Sequence, residues 1–153
     1  MKVGIPSEIS ANELRVAATP KTVKRLLKQG FEVQIQKGAG VKANFSDKEF
    51  EEAGAKIVNT AADIYGTSDI VLKVKEPSVE EVGMMKEGLV MLSYLWPAQN
   101  PDLLKKLAEQ KVNAVAMFAI EDNTSIFCAL EIRGIASIAT AFTFLSANCL
   151  SKS

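Results

Sequence analysis

No histidine occurs among the 153 residues. That absence excludes Ser-His and Cys-His nucleophilic pairs, His metal sites and imidazole proton shuttles together. Cysteine is nearly absent as well. Cys128 and Cys149 are too few for a disulfide framework or a Cys-rich zinc site, so they read as buried apolar thiols and no metal is expected. An excess of charge is missing too. The 18 Lys and Arg balance 18 Asp and Glu, so a broad grip on nucleic acid or on an anionic membrane is not expected. The opening Met1-Lys2-Val3-Gly4-Ile5-Pro6 reaches a proline too early for the apolar stretch of a secretory signal. It is expected to be the native start of a cytoplasmic protein.

What is present is an ordinary globular composition, 48% apolar and 24% charged. A chain of this length buries roughly 70% of its extended surface and can build one core. Residues 1–120 alternate in rhythm. Lys2–Ile5 is a short apolar strand stopped by Pro6. Thr19-Pro20 opens a helix with an apolar stripe at Val23, Leu26 and Leu27, closed by Gly30. Phe31–Gln36 alternates as a half-exposed strand, broken by Gly38-Ala39-Gly40. Ser46-Asp47-Lys48-Glu49 is a capping box on a helix that Gly54 closes.

Lys56–Val58 is a short strand, Thr60–Tyr65 a helix ended by Gly66, and Ile70–Val74 a buried strand. Ser78-Val79-Glu80-Glu81 is a second capping box, on a helix reaching about Met85. Leu89–Tyr94 is a buried strand. Pro101–Gln110 is a helix with Leu103, Leu104, Leu107 and Ala108 inward, and Lys111–Met117 returns as a strand. Six strands alternating with helices imply right-handed crossovers. The expected fold is α/β and Rossmann-like (flavodoxin-like), a mostly parallel sheet with helices on both faces.

Residues 121–153 differ. They hold five charged residues, and Gly134–Ser151 carries none. Ser, Thr and Asn interrupt the run, which is therefore expected to pack on a core or partner rather than span a membrane. The chain divides into a domain over 1–120 and a divergent apolar tail over 121–153.

In an open α/β sheet, ligands bind beyond the carboxyl ends of the strands. Three loops there carry notable residues. Arg15, after the first strand, offers a planar fork suited to carboxylate or phosphate. Lys75, after the Ile70 strand, offers a point charge, and the two cations together would make an anion site. The alternative is a surface Arg and a snorkelling Lys. Lys73 shares a strand face with Lys75, so either is a candidate for the inward position. Tyr94 and Trp96 share a face and are candidates either to stack on a planar ring or to fill core. Gly38-Ala39-Gly40-Val41-Lys42-Ala43 matches G-x-G-x-x-A in form only: Asn44-Phe45 intervenes before the helix cap, so a tight turn is expected. Most Asp and Glu fall on helix surfaces and in caps.

Several motifs, in order, are similar to one family. Gly4-Ile5-Pro6-Ser7-Glu8, Asn12-Glu13-Leu14-Arg15-Val16-Ala17-Ala18-Thr19-Pro20, Gly38-Ala39-Gly40, Phe45-Ser46-Asp47, Ala53-Gly54-Ala55 and Leu72-Lys73-Val74-Lys75-Glu76-Pro77 resemble the N-terminal domain of the alanine dehydrogenase and NAD(P) transhydrogenase family, over about residues 1–118. Trp96-Pro97-Ala98-Gln99-Asn100-Pro101 resembles the transhydrogenase alpha-subunit branch, because alanine dehydrogenases are expected to have a catalytic His where Trp96 stands.

The resemblance implies an oxidoreductase that uses NAD(H) and passes hydride to NADP⁺ with proton movement across a membrane. The partners it implies are the remaining transhydrogenase domains or a beta subunit, with the alpha portion a homodimer at the cytoplasmic side of a membrane. It also implies that Arg15 and Lys75 match positions that contact pyruvate in the alanine dehydrogenases and lie near the nicotinamide cleft of transhydrogenases; with Tyr94 and Trp96, chosen from loop position, they make the candidate nucleotide or substrate cleft. After Met117 the family's loop and return segment find no counterpart, and the second domain with its glycine fingerprint is missing. The fold is therefore expected to be incomplete relative to the family and the chain inactive alone: a truncated or regulatory fragment, or a small-acid binding module of alanine dehydrogenase type.

Overall fold

A computed structural model describes residues 1–96 and 99–117. The expectations for the 121–153 tail and for both cysteines lie outside these residues. Eleven regular elements alternate. They are β1 (Lys2–Ile5), α1 (Pro20–Lys28), β2 (Glu32–Gln36), α2 (Asp47–Glu52), β3 (Lys56–Val58), α3 (Ala61–Thr67), β4 (Ile70–Lys75), α4 (Val79–Gly83), β5 (Val90–Tyr94), α5 (Pro101–Glu109) and β6 (Asn113–Ala116).

The helices begin where short polar side chains satisfy free amide groups. Thr19 accepts from the Thr22 N–H ahead of Pro20, and Thr60 accepts from Asp63. Ser46 with Glu49, and Ser78 with Glu81, form reciprocal capping boxes. Gly30 and Gly54 follow helix ends with φ of 85° and 99°, a region in which a side chain is strained.

The strands form one six-stranded sheet in the order β3-β2-β1-β4-β5-β6, and every pairing is parallel. The chain walks outward from β1 to β3, returns to lay β4 against β1, then walks outward to β6. Right-handed crossovers place α1 and α2 on one face and α3, α4 and α5 on the other, and helix contacts follow that division. The reversal makes β1 and β4 the switch point, where neighbouring loops diverge and leave a crevice. An apolar cluster fills the α3–α4–α5 side: Ile64, Val71, Val82, Met85, Leu89, Met91 and Leu107 are all buried there.

Three expectations are corrected. β2 is not half-exposed. Helices cover both its faces, and Gln34 is buried, donating at 2.8 Å to both Thr67 Oγ1 and Ser68 Oγ. Gly66 does not end its helix, which continues to Thr67 and is capped at Ser68. Ala108 faces outward, because α5 buries a narrower stripe centred on Leu103 and Leu107.

β1 packs closely on α3. A Cβ at Gly4 would collide with Ser68 and lie 2.7 Å from Ile64 Cγ2, so only glycine fits there. The Gly38–Gly40 segment is the expected tight turn. Gly38 has φ of 76°, its N–H donates to Asp47 Oδ1 at 2.8 Å, and a 3-10 turn over Val41–Ala43 follows.

Candidate functional site

The site is built on the carboxyl ends of β1, β4 and β5. Beneath it lies a charge network centred on Lys73. Lys73 is the inward residue of the two lysines, its side chain fully buried. Its ammonium donates to Glu81 Oε1 at 2.9 Å and lies 3.5 Å from Glu8 Oε2. Glu81 also accepts from the Tyr65 hydroxyl at 2.6 Å and from the Ser78 N–H at 2.8 Å. Burial, then the Glu81 carboxylate, push the Tyr65 phenol well above its ordinary range.

Glu8 in turn accepts from the backbone N–H groups of Val74 and Lys75 at 2.6 and 3.3 Å. The reason lies in the sheet. β1 ends at Ile5, and its pairing with β4 runs only through Gly4↔Val71. β4 also slips register against β5 between Leu72 and Lys75. The Glu8 carboxylate therefore takes the place of a missing strand beside the last residues of β4.

Most described Asp and Glu lie on helices or at their caps, as expected, and a few stand apart by their burial. Glu8, Glu13 and Glu81 are all buried, and Glu81 is a cap and a buried counter-ion at once. The signal available in sequence was a lysine in the middle of the apolar run Ile70–Val74, because a cation on a buried strand requires carboxylate partners.

Above the network is the rim. Glu13 accepts from the Arg15 backbone N–H at 3.0 Å and, through both its oxygens, from Arg15 Nε and Nη2 at 2.7 Å each. The Glu13 side chain is 5% exposed and that of Arg15 63% exposed. The Arg15 hydrogen bond holds the Glu13 carboxyl down at about 2, from an ordinary 4.5, and Glu13 raises the guanidinium above its usual value. Lys75 lies within electrostatic reach of Glu13, and Tyr94 within reach of Arg15.

Lys75 and Tyr94 are register partners across β4 and β5. Lys75 is exposed; Tyr94 and Trp96 are 42% and 46% exposed. The two aromatics are therefore surface rather than core residues. The rim thus brings together Arg15, Lys75 and Tyr94, with Trp96 two residues on, but Arg15 arrives already held by an acidic neighbour.

A cavity of about 210 Å³, lined by Lys2, Leu27, Glu32, Val33, Gln34, Gly54 and Lys56, lies at the amino ends of the strands and includes no rim residue. Among the described residues no three His, Cys, Asp or Glu gather to hold a metal ion, and no helix is long and apolar enough to cross a membrane. The described residues also do not fit a whole dinucleotide. The Gly38 N–H is committed to Asp47, and a Cβ at Gly40 would lie 2.5 Å from Phe50 Cε2. Among the described residues no glycine turn presents free amides at a helix N-terminus for a pyrophosphate.

Comparison with known proteins agrees with this architecture. The family model for the alanine dehydrogenase/PNT N-terminal domain matches residues 4–134. NAD(P) transhydrogenase subunit alpha of Haemophilus influenzae is 52% identical over 120 residues, covering 78% of this chain and 23% of that protein. Alanine dehydrogenase of Methanococcus maripaludis is 39% identical over 121 residues, covering 79% of this chain and 32% of that one. The crystal structure of a transhydrogenase from Sinorhizobium meliloti superposes with a TM-score of 0.77 at 34% identity, over 81% of this chain and 37% of that one. The chain spans about a quarter to a third of the length of these relatives. A doubly wound parallel sheet and a match over most of the chain lead to one conclusion: this chain belongs to the alanine dehydrogenase/PNT N-terminal domain family.

Proposed function

We propose that the chain is the N-terminal part of a proton-translocating NAD(P)⁺ transhydrogenase alpha subunit, in which hydride passes between NADH and NADP⁺. The observation that carries this reading is the 52% identity to one transhydrogenase subunit alpha, while alanine dehydrogenases reach 39–42% and a second transhydrogenase subunit alpha 41%. The absence of histidine supports it: Trp96 stands where the alanine dehydrogenase branch is expected to keep its acid/base residue. The partners in this reading are the remaining transhydrogenase domains and a beta subunit. They supply the pyrophosphate site that the described residues do not form, and Tyr94 and Trp96 offer exposed faces on which a nicotinamide ring can stack.

The test is reconstitution. The full chain is mixed with the remainder of the Haemophilus influenzae alpha subunit and its membrane partner, and NADH-dependent reduction of an NADP⁺ analogue is followed. Transfer that requires both parts supports the reading. Alanine-dependent reduction of NAD⁺, or no transfer from an assembled complex, overturns it.

A second reading is a small-acid binding module of alanine dehydrogenase type. It is favoured by one observation, the placing of Arg15 and Lys75 on the same rim, each coupled to Glu13. Titration with pyruvate tests it: a saturable signal abolished in Arg15→Ala supports the module, and no signal ends it.

A further inference from the structure

We infer that Glu13 is a positioning residue for Arg15 that also makes the rim selective for a singly charged anion over a doubly charged one. The inference rests on the reading of the rim as a small-acid site and gives Glu13 a stated role in it.

Only one edge of the guanidinium is taken up by Glu13. Glu13 takes Nε and Nη2, the two donors along the side of the fork. Pairing along that side leaves the end of the fork, the remaining N–H groups of Nη1 and Nη2, directed away from Glu13, and the Arg15 side chain is 63% exposed. The Arg15 backbone N–H bonds the same Glu13 oxygen as Nε, so the carboxylate fixes both the loop and the side chain. Arg15 is thereby stripped of much of its rotamer freedom before any ligand arrives, and a planar ligand carboxylate meets an oriented fork.

The charges decide the second half. Arg15, Lys75 and Glu13 together carry a net +1, which one carboxylate neutralises. Beneath them Glu8, Glu81 and Lys73 add a net −1, and Glu8 is itself coupled to Arg15. Among the described residues a second negative charge on the ligand therefore has no further counter-ion on the rim and faces Glu13 across the guanidinium. Like charges this close, partly out of water, repel appreciably.

The experiment uses the full chain. Trp96 is its only tryptophan and stands near the rim, so its fluorescence reports binding there, with calorimetry as the second readout. Pyruvate is the singly charged probe, and oxalate, of similar size with one more charge, is the doubly charged one. In the unaltered chain pyruvate binds more tightly than oxalate. Glu13→Gln removes the charge, weakens pyruvate severalfold and shifts the pyruvate-to-oxalate ratio about tenfold toward oxalate. Glu13→Asp keeps the charge but draws the carboxylate back from the fork. It weakens both probes and leaves the ratio within twofold, which a general loss of folding does not produce alongside the Gln result.

The inference alone is overturned if pyruvate binds the unaltered chain, is lost in Arg15→Ala, and has unchanged affinity and ratio in both Glu13 variants. It is equally overturned if Glu13→Gln tightens pyruvate, since Glu13 would then compete for the fork rather than orient it. No response to either probe in the unaltered chain overturns the inference and the small-acid reading together.

Discussion

Two carboxylate–cation assemblies lie one above the other at the carboxyl end of the sheet, and they differ in one respect. The lower one, Glu8–Lys73–Glu81 with Tyr65, is closed. Each charged or polar side chain in it has a partner inside the protein, and no buried side-chain polar atom among the described residues lacks one. The upper one, Glu13–Arg15, is open, with a buried carboxylate and an exposed guanidinium. Similar chemistry thus serves two ends. Enclosed on all sides it ties the β1 loop to β4; with one edge in water it can meet something outside.

Removing the cation from the closed assembly has the largest expected effect. Lys73→Met strands two buried carboxylates, and the expected loss is about 3–5 kcal/mol, a large fraction of the stability of a domain this size. Urea unfolding followed by circular dichroism reads it as a lowered midpoint. Glu8→Gln in the same background removes one of the stranded charges and recovers part of the loss. A midpoint for Lys73→Met within experimental error of the unaltered chain sinks the view that the network holds the rim in place.

That network also marks the limit of what the sequence discloses. The helix starts were legible because Thr19, Ser46, Thr60 and Ser78 each act on the amide three residues on. The parallel order followed from apolar runs alternating with capped helices. Gln34 was misjudged because alternation marks a face, and both faces of β2 are covered by helices from elsewhere in the chain. Glu8 was invisible for the same reason: its partners Val74 and Lys75 are 66 and 67 positions away. At the rim, Arg15, Lys75, Tyr94 and Trp96 could be singled out from loop position alone. The grip of Glu13 on Arg15 is local in sequence, but its side-on geometry depends on a turn that no residue spacing specifies.

A smaller effect sharpens the comparison within the closed assembly. Tyr65→Phe removes one donor to Glu81 while leaving the ring, and costs about 1–3 kcal/mol. The phenol also has a pH signature. Its proton is held more tightly folded than unfolded, so its contribution to stability is full below the unfolded value near 10 and is lost as pH rises above it. Tyrosinate absorbance during alkaline titration should show Tyr65 ionising only as the chain unfolds. Early ionisation of both tyrosines would place Tyr65 in contact with water and the closed assembly would not be closed.

The smallest effect belongs to the open pair, and its size is the point of the comparison. Removing Arg15 does not strand Glu13 as removing Lys73 strands its partners, because water enters where the exposed guanidinium stood. Arg15→Ala should therefore cost about 1 kcal/mol or less. The pH dependence carries the opposite sign to that of Tyr65. The folded carboxyl titrates at about 2 and the unfolded one near 4.5. The stabilisation is thus present above 4.5 and disappears as pH falls through that window toward 2. Thermal melts between pH 2 and 6 should show a shallower acid decline in Arg15→Ala than in the unaltered chain, and 0.5 M salt should narrow the gap between the two. If Arg15→Ala instead destabilises as much as Lys73→Met, the guanidinium is a structural cation like its buried neighbour, and its outward edge has no ligand to wait for.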